Sequence, residues 1–432
     1  MFSWSKKYKE KVVPVEEALA TIKSGMRIYI HPGAATPKVL VEHLADIKDQ
    51  VENVEVVHIL TFGESPYAEP EMEGHFRHNA LFSGGNVRKA INEGRADWMP
   101  IFLYEIPKLF YENYLPLDVS LVQLSPPDEH GFCSLGVGVE MTLAAIRSSK
   151  RVIAEINPRM PRVLGDSFVH ISKLDRIVEV DHPLYEYHAG DIDDVSREIG
   201  RRIAEHIEDG STLQMGIGAI PDAVLFFLGE KRDLGIHTEM FSDGAMKLME
   251  EGVITGERKT IHKGKVVCCF LMGSAELYDY VDNNPFIEAH PVEYTNDPYI
   301  IAQNDKMVAL NSCISIDLTG QVNSDSIGMN IYSGFGGQLD FIRGAARSKG
   351  GLPVIAMPST AKGGTASRIV GTLAPGAGVT DTRADVRWVC TEYGMVNLFG
   401  LNRRQRAKAL IELAHPDFRE ELQEFAIKNG YI

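Results

Sequence analysis

Two stretches of this 432-residue chain repeat the same order of structural signals, and that duplication limits the available folds more than any other feature. Ile22 to Leu44, IKSGMRIYIHPGAATPKVLVEHL, can be laid on Ile207 to Leu228, IEDGSTLQMGIGAIPDAVLFFL, with one residue of difference in the turn. Each reads as a helix end closed by glycine (Gly25, Gly210) and then a short apolar strand. A glycine-containing turn follows, then a helix opened by proline (Pro37, Pro221), where the missing N–H costs nothing. A second pair comes in the same order: Asp128-Glu-His-Gly131 with Ser148 to Ile156, against Asp317-Leu-Thr-Gly320 with Ser348 to Met357. Two related halves are expected, residues 1–186 and 187–432, divided within the polar stretch His182–Asp194. A prior of roughly 150 residues per domain agrees.

Short apolar strands alternate with helical patterns in both halves, which argues for βαβ units and mainly parallel sheets. The spacing predicts strands at Arg27–His31, Val54–Leu60, Val119–Leu124 and Arg151–Ile156, then at Thr212–Met215, Lys265–Leu271, Met307–Asn311 and Pro353–Met357. Helices are predicted at Pro37–Ala45, Val195–Glu208, Pro221–Leu228 and Arg404–Ala414. The fold class is α/β: two similar open, mainly parallel-sheet domains related by duplication. Ligands of such sheets bind beyond the carboxyl ends of strands, so the active site is expected where the two domains meet.

Charge and composition remove several functions. Lys and Arg total 44 against 59 Asp and Glu, a formal charge of −15, and no concentrated basic face appears, so the charge argues against a nucleic-acid partner. The cluster Lys6, Lys7, Lys9 and Lys11 reads as a solvated leader. No apolar run approaches the roughly 18 residues that cross a bilayer, and the start is polar, which argues against a secretory signal or a membrane partner. Five cysteines without CxxC spacing read as reduced, buried thiols in a cytoplasmic protein.

The second half carries the chemistry. Its turns Gly216-Ile-Gly218-Ala-Ile220 and Ser333-Gly334-Phe-Gly336-Gly337-Gln338 let backbone N–H groups approach an anionic ligand. The first lacks the third glycine and downstream acid of a dinucleotide fingerprint, and no phosphate-binding GxxxxGK motif occurs, so neither NAD nor ATP is expected. No HExxH or comparable cluster indicates a metal, and no GxSxG elbow indicates a serine hydrolase. Candidate carboxylates in apolar, glycine-flanked settings are Glu64, Glu239 and Glu392. An isolated Glu is ordinarily solvated or salt-bridged. Glu239, in His237-Thr-Glu-Met-Phe-Ser-Asp-Gly244, lies at the end of a short strand leading into a loop, where catalytic groups of such sheets usually sit. Glu392 reads as structural, and His31 and His237 as satisfied structural histidines in preference to bases or groups orienting a carboxylate.

Long motifs along nearly the whole chain resemble the acetyl-CoA hydrolase/transferase family of class I CoA-transferases. They are SPPDEHGFCSLG (Ser125–Gly136), GIGAIPDAV (Gly216–Val224), HTEMFSDG, TGQVNSDSIG (Thr319–Gly328) and SGFGGQLDFIRGA (Ser333–Ala345). STAKGGTASRIV (Ser359–Val370), TEYGMVNLFG (Thr391–Gly400) and LIELAHPDFRE (Leu410–Glu420) complete the set. The likeness is greatest to members acting on 4-hydroxybutyrate or exchanging butyryl-CoA with acetate. It implies CoA transfer between a short-chain acyl-CoA and a free carboxylate, with coenzyme A as substrate and no metal, NAD or ATP. It implies Glu239 as nucleophile, passing through an acyl anhydride and a glutamyl-CoA thioester. Gly337, with Gly336 next, would donate to the oxyanion. Gly216, Ile217, Gly218, Ala219, Ile220, Gly334 and Lys362 would contact CoA, and Gln214, His31 and Gly33 the acyl substrate. Phe335 and Gln338 would bear on acyl selectivity. The same motifs are compatible with an acyl-CoA hydrolase or a non-catalytic acyl-CoA-binding subunit. A homodimer or higher homo-oligomer is implied by family habit.

Overall fold

The computed structural model describes residues 3–188 and 190–432. They form two compact units: the chain up to Tyr187 together with Val267–Thr295, and His188–Val266 together with Asn296–Ile432.

The first unit is built on a seven-stranded sheet. Its order across the sheet is Asp97–Trp98, Phe76–Ala80, Val54–His58, Arg27–Ile30, Val119–Leu124, Arg151–Ile156, Arg176–Glu179, and every pairing is parallel. All six residues of Val119–Leu124 are buried, as expected of a strand covered on both faces. Arg27–Ile30 lies between Val54–His58 and Val119–Leu124, so the strand order reverses at its carboxyl end, where His31-Pro-Gly33 turns.

The second unit has a six-stranded sheet ordered Gly235–Ile236, Thr212–Gln214, Met307–Asn311, Leu352–Ala356, Trp388–Thr391, Gly394–Asn397. Only the last pair is antiparallel. Thr212–Gln214 has the corresponding place, between a short outer strand and Met307–Asn311, and Met215-Gly216-Ile-Gly218 follows its carboxyl end. The helix Asp194–His206 is capped by the Asp193 carboxylate, which accepts from Ser196 N–H at 2.7 Å, and it buries Ile199, Gly200, Ile203 and Ala204. Gly200 lets it press on the next helix: a Cβ there would lie 2.6 Å from Ala223.

Three expectations change. The apolar run Lys265–Leu271 is not a strand of the six-stranded sheet, because Val267–Thr295 belongs to the first unit. There, Val139 N–H donates to Cys269 O (2.9 Å), Leu271 N–H to Val137 O (2.9 Å) and Asp166 N–H to Ala289 O (2.9 Å). Pro221 is the third residue of the helix Ala219–Phe226 and does not open it; Gly218 is the N-cap. The basic N-terminus is the helix Ser3–Lys11, anchored by Lys11 Nζ on Ile171 O at 2.9 Å and by Trp4 Nε1 on Glu129 O at 3.0 Å. All five cysteines are buried, and none forms a disulfide among the described residues. Among the described residues no helix is long and apolar enough to cross a membrane.

Candidate active site

Glu239 follows the outer strand Gly235–Ile236 of the second unit, and three hydrogen bonds of the two preceding residues set its position. His237 N–H donates to Leu213 O (3.1 Å), and the Thr238 hydroxyl donates to Met240 O (3.0 Å) and Met215 O (3.3 Å). Met215 immediately precedes Gly216, so the segment bearing Glu239 runs beside the start of the Gly216–Ile220 turn. Gly218 has φ 112° and ψ 175°, a backbone that L side chains rarely adopt, and this turns the chain directly into the helix Ala219–Phe226.

The Glu239 carboxylate meets two donors. Asn296 Nδ2 donates to Oε2 at 2.9 Å, and the Gly337 N–H donates to the same carboxylate. The residue keeps partial exposure, but its carboxyl is enclosed, and burial pushes its pKa up to about 7 against the pull of Asn296 and Gly337. Gly337 is the N-cap of the helix Gln338–Arg347, so its N–H belongs to a helix start aimed at negative charge. The approach is close: a Cβ on Gly337 would lie 1.9 Å from Glu239 Oε2 and 2.2 Å from Asn296 Nδ2. The loop therefore needs glycine at 337 for space. At Gly336 it needs glycine for a φ of 54°.

The remaining predicted residues are distributed as follows. Gly334 is buried within the loop. Gln214 is buried, accepting from Asn311 Nδ2 at 3.1 Å, with its own amide 3.5 Å from Leu310 O. Lys362 is exposed at the turn of the hairpin Thr360–Ala361/Ala366–Ser367. In the first unit, His31 is fully buried with both nitrogens occupied: Nε2–H donates to Gly138 O, and Nδ1 accepts from Gln123 N–H at 3.3 Å. Burial lowers its pKa to about 4, so it is a neutral support beneath the turn bearing Gly33 and has no ring nitrogen left for a ligand. Gly33 has φ 60° and donates its N–H to Leu60 O at 2.8 Å. Of the other carboxylates, Glu64 is exposed, and Glu392 accepts from Ser359 N–H (2.9 Å) and the Ser359 hydroxyl (2.5 Å), as a structural residue does.

Sequence reasoning missed Asn296. In Thr-Asn-Asp-Pro it reads as part of a turn, and Asp297 does cap the short helix Pro298–Ile301 by accepting from Tyr299 N–H at 2.7 Å. Its one unusual property is complete burial, which only the fold reveals.

The mainly parallel sheets, with a carboxyl-centred arrangement beyond the strand ends of the second unit's sheet, are those of an α/β enzyme. The chain belongs to the acetyl-CoA hydrolase/transferase family, whose N-terminal domain profile matches residues 3–184 and whose C-terminal domain profile matches residues 273–426. It is 52% identical to the 4-hydroxybutyrate coenzyme A transferase of Clostridium kluyveri over 97% of this chain and 98% of that one. It is 38% identical to the butyryl-CoA:acetate CoA-transferase of Anaerostipes caccae over 99% of this chain and 98% of that protein. Among solved structures it resembles RipA from Yersinia pestis, with a TM-score of 0.95, 38% identity and full coverage of both chains.

Proposed function

We propose that Glu239 is the nucleophile through which this CoA-transferase moves coenzyme A between a short-chain acyl-CoA and a free carboxylate such as acetate. The observation that carries this reading is one enclosed carboxylate held by two donors, Asn296 and Gly337. Glu239 attacks the thioester carbonyl, forming an acyl-glutamyl anhydride and releasing the CoA thiolate. The thiolate attacks the glutamyl carbonyl, leaving glutamyl-CoA and the free acyl carboxylate. An incoming carboxylate runs the sequence backwards and departs as the new acyl-CoA. Each step exchanges activated acyl bonds of similar free energy, so the chemistry calls on no ATP, nicotinamide or metal.

When the glutamyl carbonyl becomes tetrahedral, its oxygen carries the charge that Asn296 Nδ2 and Gly337 N–H already face. Donors placed this way are worth about 2.7–4 kcal/mol apiece. Gly336 and Gly334 give the loop its path. The turn Gly216, Ile217, Gly218, Ala219 and Ile220 offers its amides to CoA, and Lys362 an exposed cation to the CoA phosphates. Gln214 and Gly33 are assigned to the acyl substrate, with His31 supporting Gly33. The likeness to the clostridial and Anaerostipes enzymes supports 4-hydroxybutyrate, butyrate and acetate as the acyl class. The enzyme is assigned to the cytoplasm as a homodimer or higher homo-oligomer.

The test is incubation with butyryl-CoA alone, followed by mass spectrometry of the peptide containing Glu239. A CoA adduct is expected in the wild type and none in Glu239→Ala. Added acetate should then yield acetyl-CoA. Hydrolysis undiminished by acetate, with no acetyl-CoA formed, would assign the site to a hydrolase instead.

A further inference from the structure

The far end of the glycine loop is tied to a buried carboxyl that the chemistry above does not use. Asp381 is fully buried, and its Oδ2 accepts from the side-chain amide of Gln338, the residue directly after Gly337. The same amide donates to Ser324 Oγ at 2.9 Å. The near end of the loop is held from the same place. Ser324 N–H donates to Thr380 Oγ1 (2.8 Å), whose hydroxyl donates to Asp325 Oδ1 (2.8 Å). The Asp325 carbonyl accepts from Tyr332 N–H (2.8 Å) and Ser333 N–H (3.1 Å). The Ser333 hydroxyl also reaches Ser324 O at 3.2 Å. The polar cluster Ser324–Asp325 and Thr380–Asp381 thus grips both Ser333 and Gln338, the two ends of the segment that presents the Gly337 N–H to Glu239.

Asp381 is an expensive residue to keep in this place. Its Oδ1 has no hydrogen-bond partner among the described residues, and burial, with Asp385 and Asp325 nearby, pushes its carboxyl up to about 7 against the pull of the Gln338 amide and Arg343. A buried, half-satisfied carboxyl costs stability. The strand contact at this point does not depend on the side chain, because Asp381 N–H donates to Val322 O (3.2 Å) and Val322 N–H to Asp381 O (3.1 Å). Among the described residues, the one side-chain hydrogen bond of Asp381 goes to the residue that follows Gly337.

We propose that Asp381 is a positioning residue for the Gly337 donor: by anchoring the Gln338 amide it fixes the loop end that sets the distance between the Gly337 N–H and Glu239. This rests on the reading of Glu239 as nucleophile and Gly337 as its donor. Gln338 then acts as the link between the buried carboxyl and the donor, and its bearing on acyl selectivity is indirect.

The experiment measures kcat, KM for butyryl-CoA and the single-turnover rate of Glu239 adduct formation in full-length Asp381→Leu, Asp381→Asn, Gln338→Leu and the double variant Asp381→Leu/Gln338→Leu. A donor displaced by about 1 Å can lose about 100-fold in rate. The expected fall in kcat and adduct rate is therefore roughly 10- to 100-fold for Asp381→Leu and Gln338→Leu, with KM within about threefold. Asp381→Asn keeps an oxygen acceptor for Gln338 and should remain near wild type. The double variant should be no slower than the slower single, since both cut one link. Wild-type adduct rates in Asp381→Leu, or independent multiplicative losses in the double variant, overturn the proposal. If Asp381→Leu does not fold, Gln338→Leu, at a partly exposed position, decides alone, and an unchanged adduct rate there is equally fatal. Absence of any adduct in the wild type would instead reject the nucleophile assignment, so the two failures are distinguishable.

Discussion

Gly337→Ala separates a catalytic from a structural role more sharply than any other single change in this site. The backbone at 337 has φ −97° and ψ 7°, which alanine adopts without strain, so the substitution carries no conformational penalty of its own. At such positions alanine lowers the entropy of the unfolded chain and can add about 0.4–1 kcal/mol of stability, here set against a local clash. That clash falls entirely on the chemistry. The new methyl would lie 1.9 Å from Glu239 Oε2 and 2.2 Å from Asn296 Nδ2, whereas real Cβ contacts essentially never fall below 3.0 Å. The carboxylate must withdraw by about 1 Å, losing the Gly337 donor and straining the 2.9 Å bond to Asn296. Loss of one preorganised donor costs about 2.7–4 kcal/mol, or roughly 100- to 1,000-fold in kcat. Thermal unfolding should stay near the wild-type midpoint while the quench-flow rate of adduct formation falls by that factor. Gly336→Ala is the contrasting control: its φ of 54° makes alanine strained by roughly 1–2 kcal/mol, so stability should drop before rate is considered. A folded Gly337→Ala enzyme turning over within threefold of wild type would refute the donor assignment and the steric argument together.

Other consequences can be checked in parallel. In Asn296→Ala, Glu239 loses a hydrogen bond that holds its pKa down, so the single-turnover rate, which rises with pH as the carboxylate ionises around pH 7, should have its midpoint moved to higher pH; an unmoved midpoint contradicts the role given to the amide. His31 and His78 are buried with pKa values lowered from 6.5 to about 4, so the unfolded chain binds protons that the folded one refuses. Stability from these groups is complete above pH 6.5, falls as pH drops toward 4 and falls no further below it, by about 3 kcal/mol per imidazole at most. Urea unfolding between pH 7 and 4 should show this slope, reduced by about one proton in His78→Phe; parallel curves for the two proteins would exclude it. Lys259 is buried, with Nζ donating to Ile236 O (2.8 Å) and Lys265 O (2.7 Å), and its stem fills the space beside Gly235. Lys259→Met keeps the stem but strands both carbonyls, and an unfolding free energy lower by about 2 kcal/mol or more is expected from equilibrium denaturation.

What the sequence made legible depended on the range of the interaction. Val119–Leu124 and Arg151–Ile156 form strands at the expected residues, because a parallel strand covered on both faces is mostly apolar without strict alternation, and the polar residues within them, Ser120, Gln123 and Glu155, are buried. Glu239 stands out in the sequence through its neighbourhood, a short strand breaking into a polar turn. The partner that holds it was not, since an Asn before Asp-Pro has the local chemistry of a turn, and its burial against residue 239 is a tertiary fact. Lys265–Leu271 failed for a related reason: a short apolar run declares that it is buried but not which sheet will bury it. His31 reads as a candidate ligand because imidazole chemistry is visible in a sequence, while the Gly138 carbonyl and Gln123 N–H that occupy its two nitrogens are contributed by residues about a hundred positions away.

The geometry around Glu239 also bears on why a carboxylate can serve as the nucleophile in the proposed reaction. A fully solvated glutamate ionises near 4.5, and at that basicity it is a poor match for the thiolate it must displace. Enclosure raises its basicity, and with it the nucleophilicity of the ionised form, but without limit this would leave the group protonated at neutral pH. Asn296 and the Gly337 N–H oppose that rise, and the balance near pH 7 keeps a usable fraction ionised. In the proposed reaction those two donors cost nothing to reorganise when the carbonyl becomes tetrahedral, because the carboxyl they hold at rest is the group on which the oxyanion would form. Removing either donor should therefore act twice, by reducing the ionised fraction at fixed pH and by raising the barrier for the fraction that remains. Raising the pH restores only the first loss, so the plateau rate above the shifted midpoint measures the second by itself.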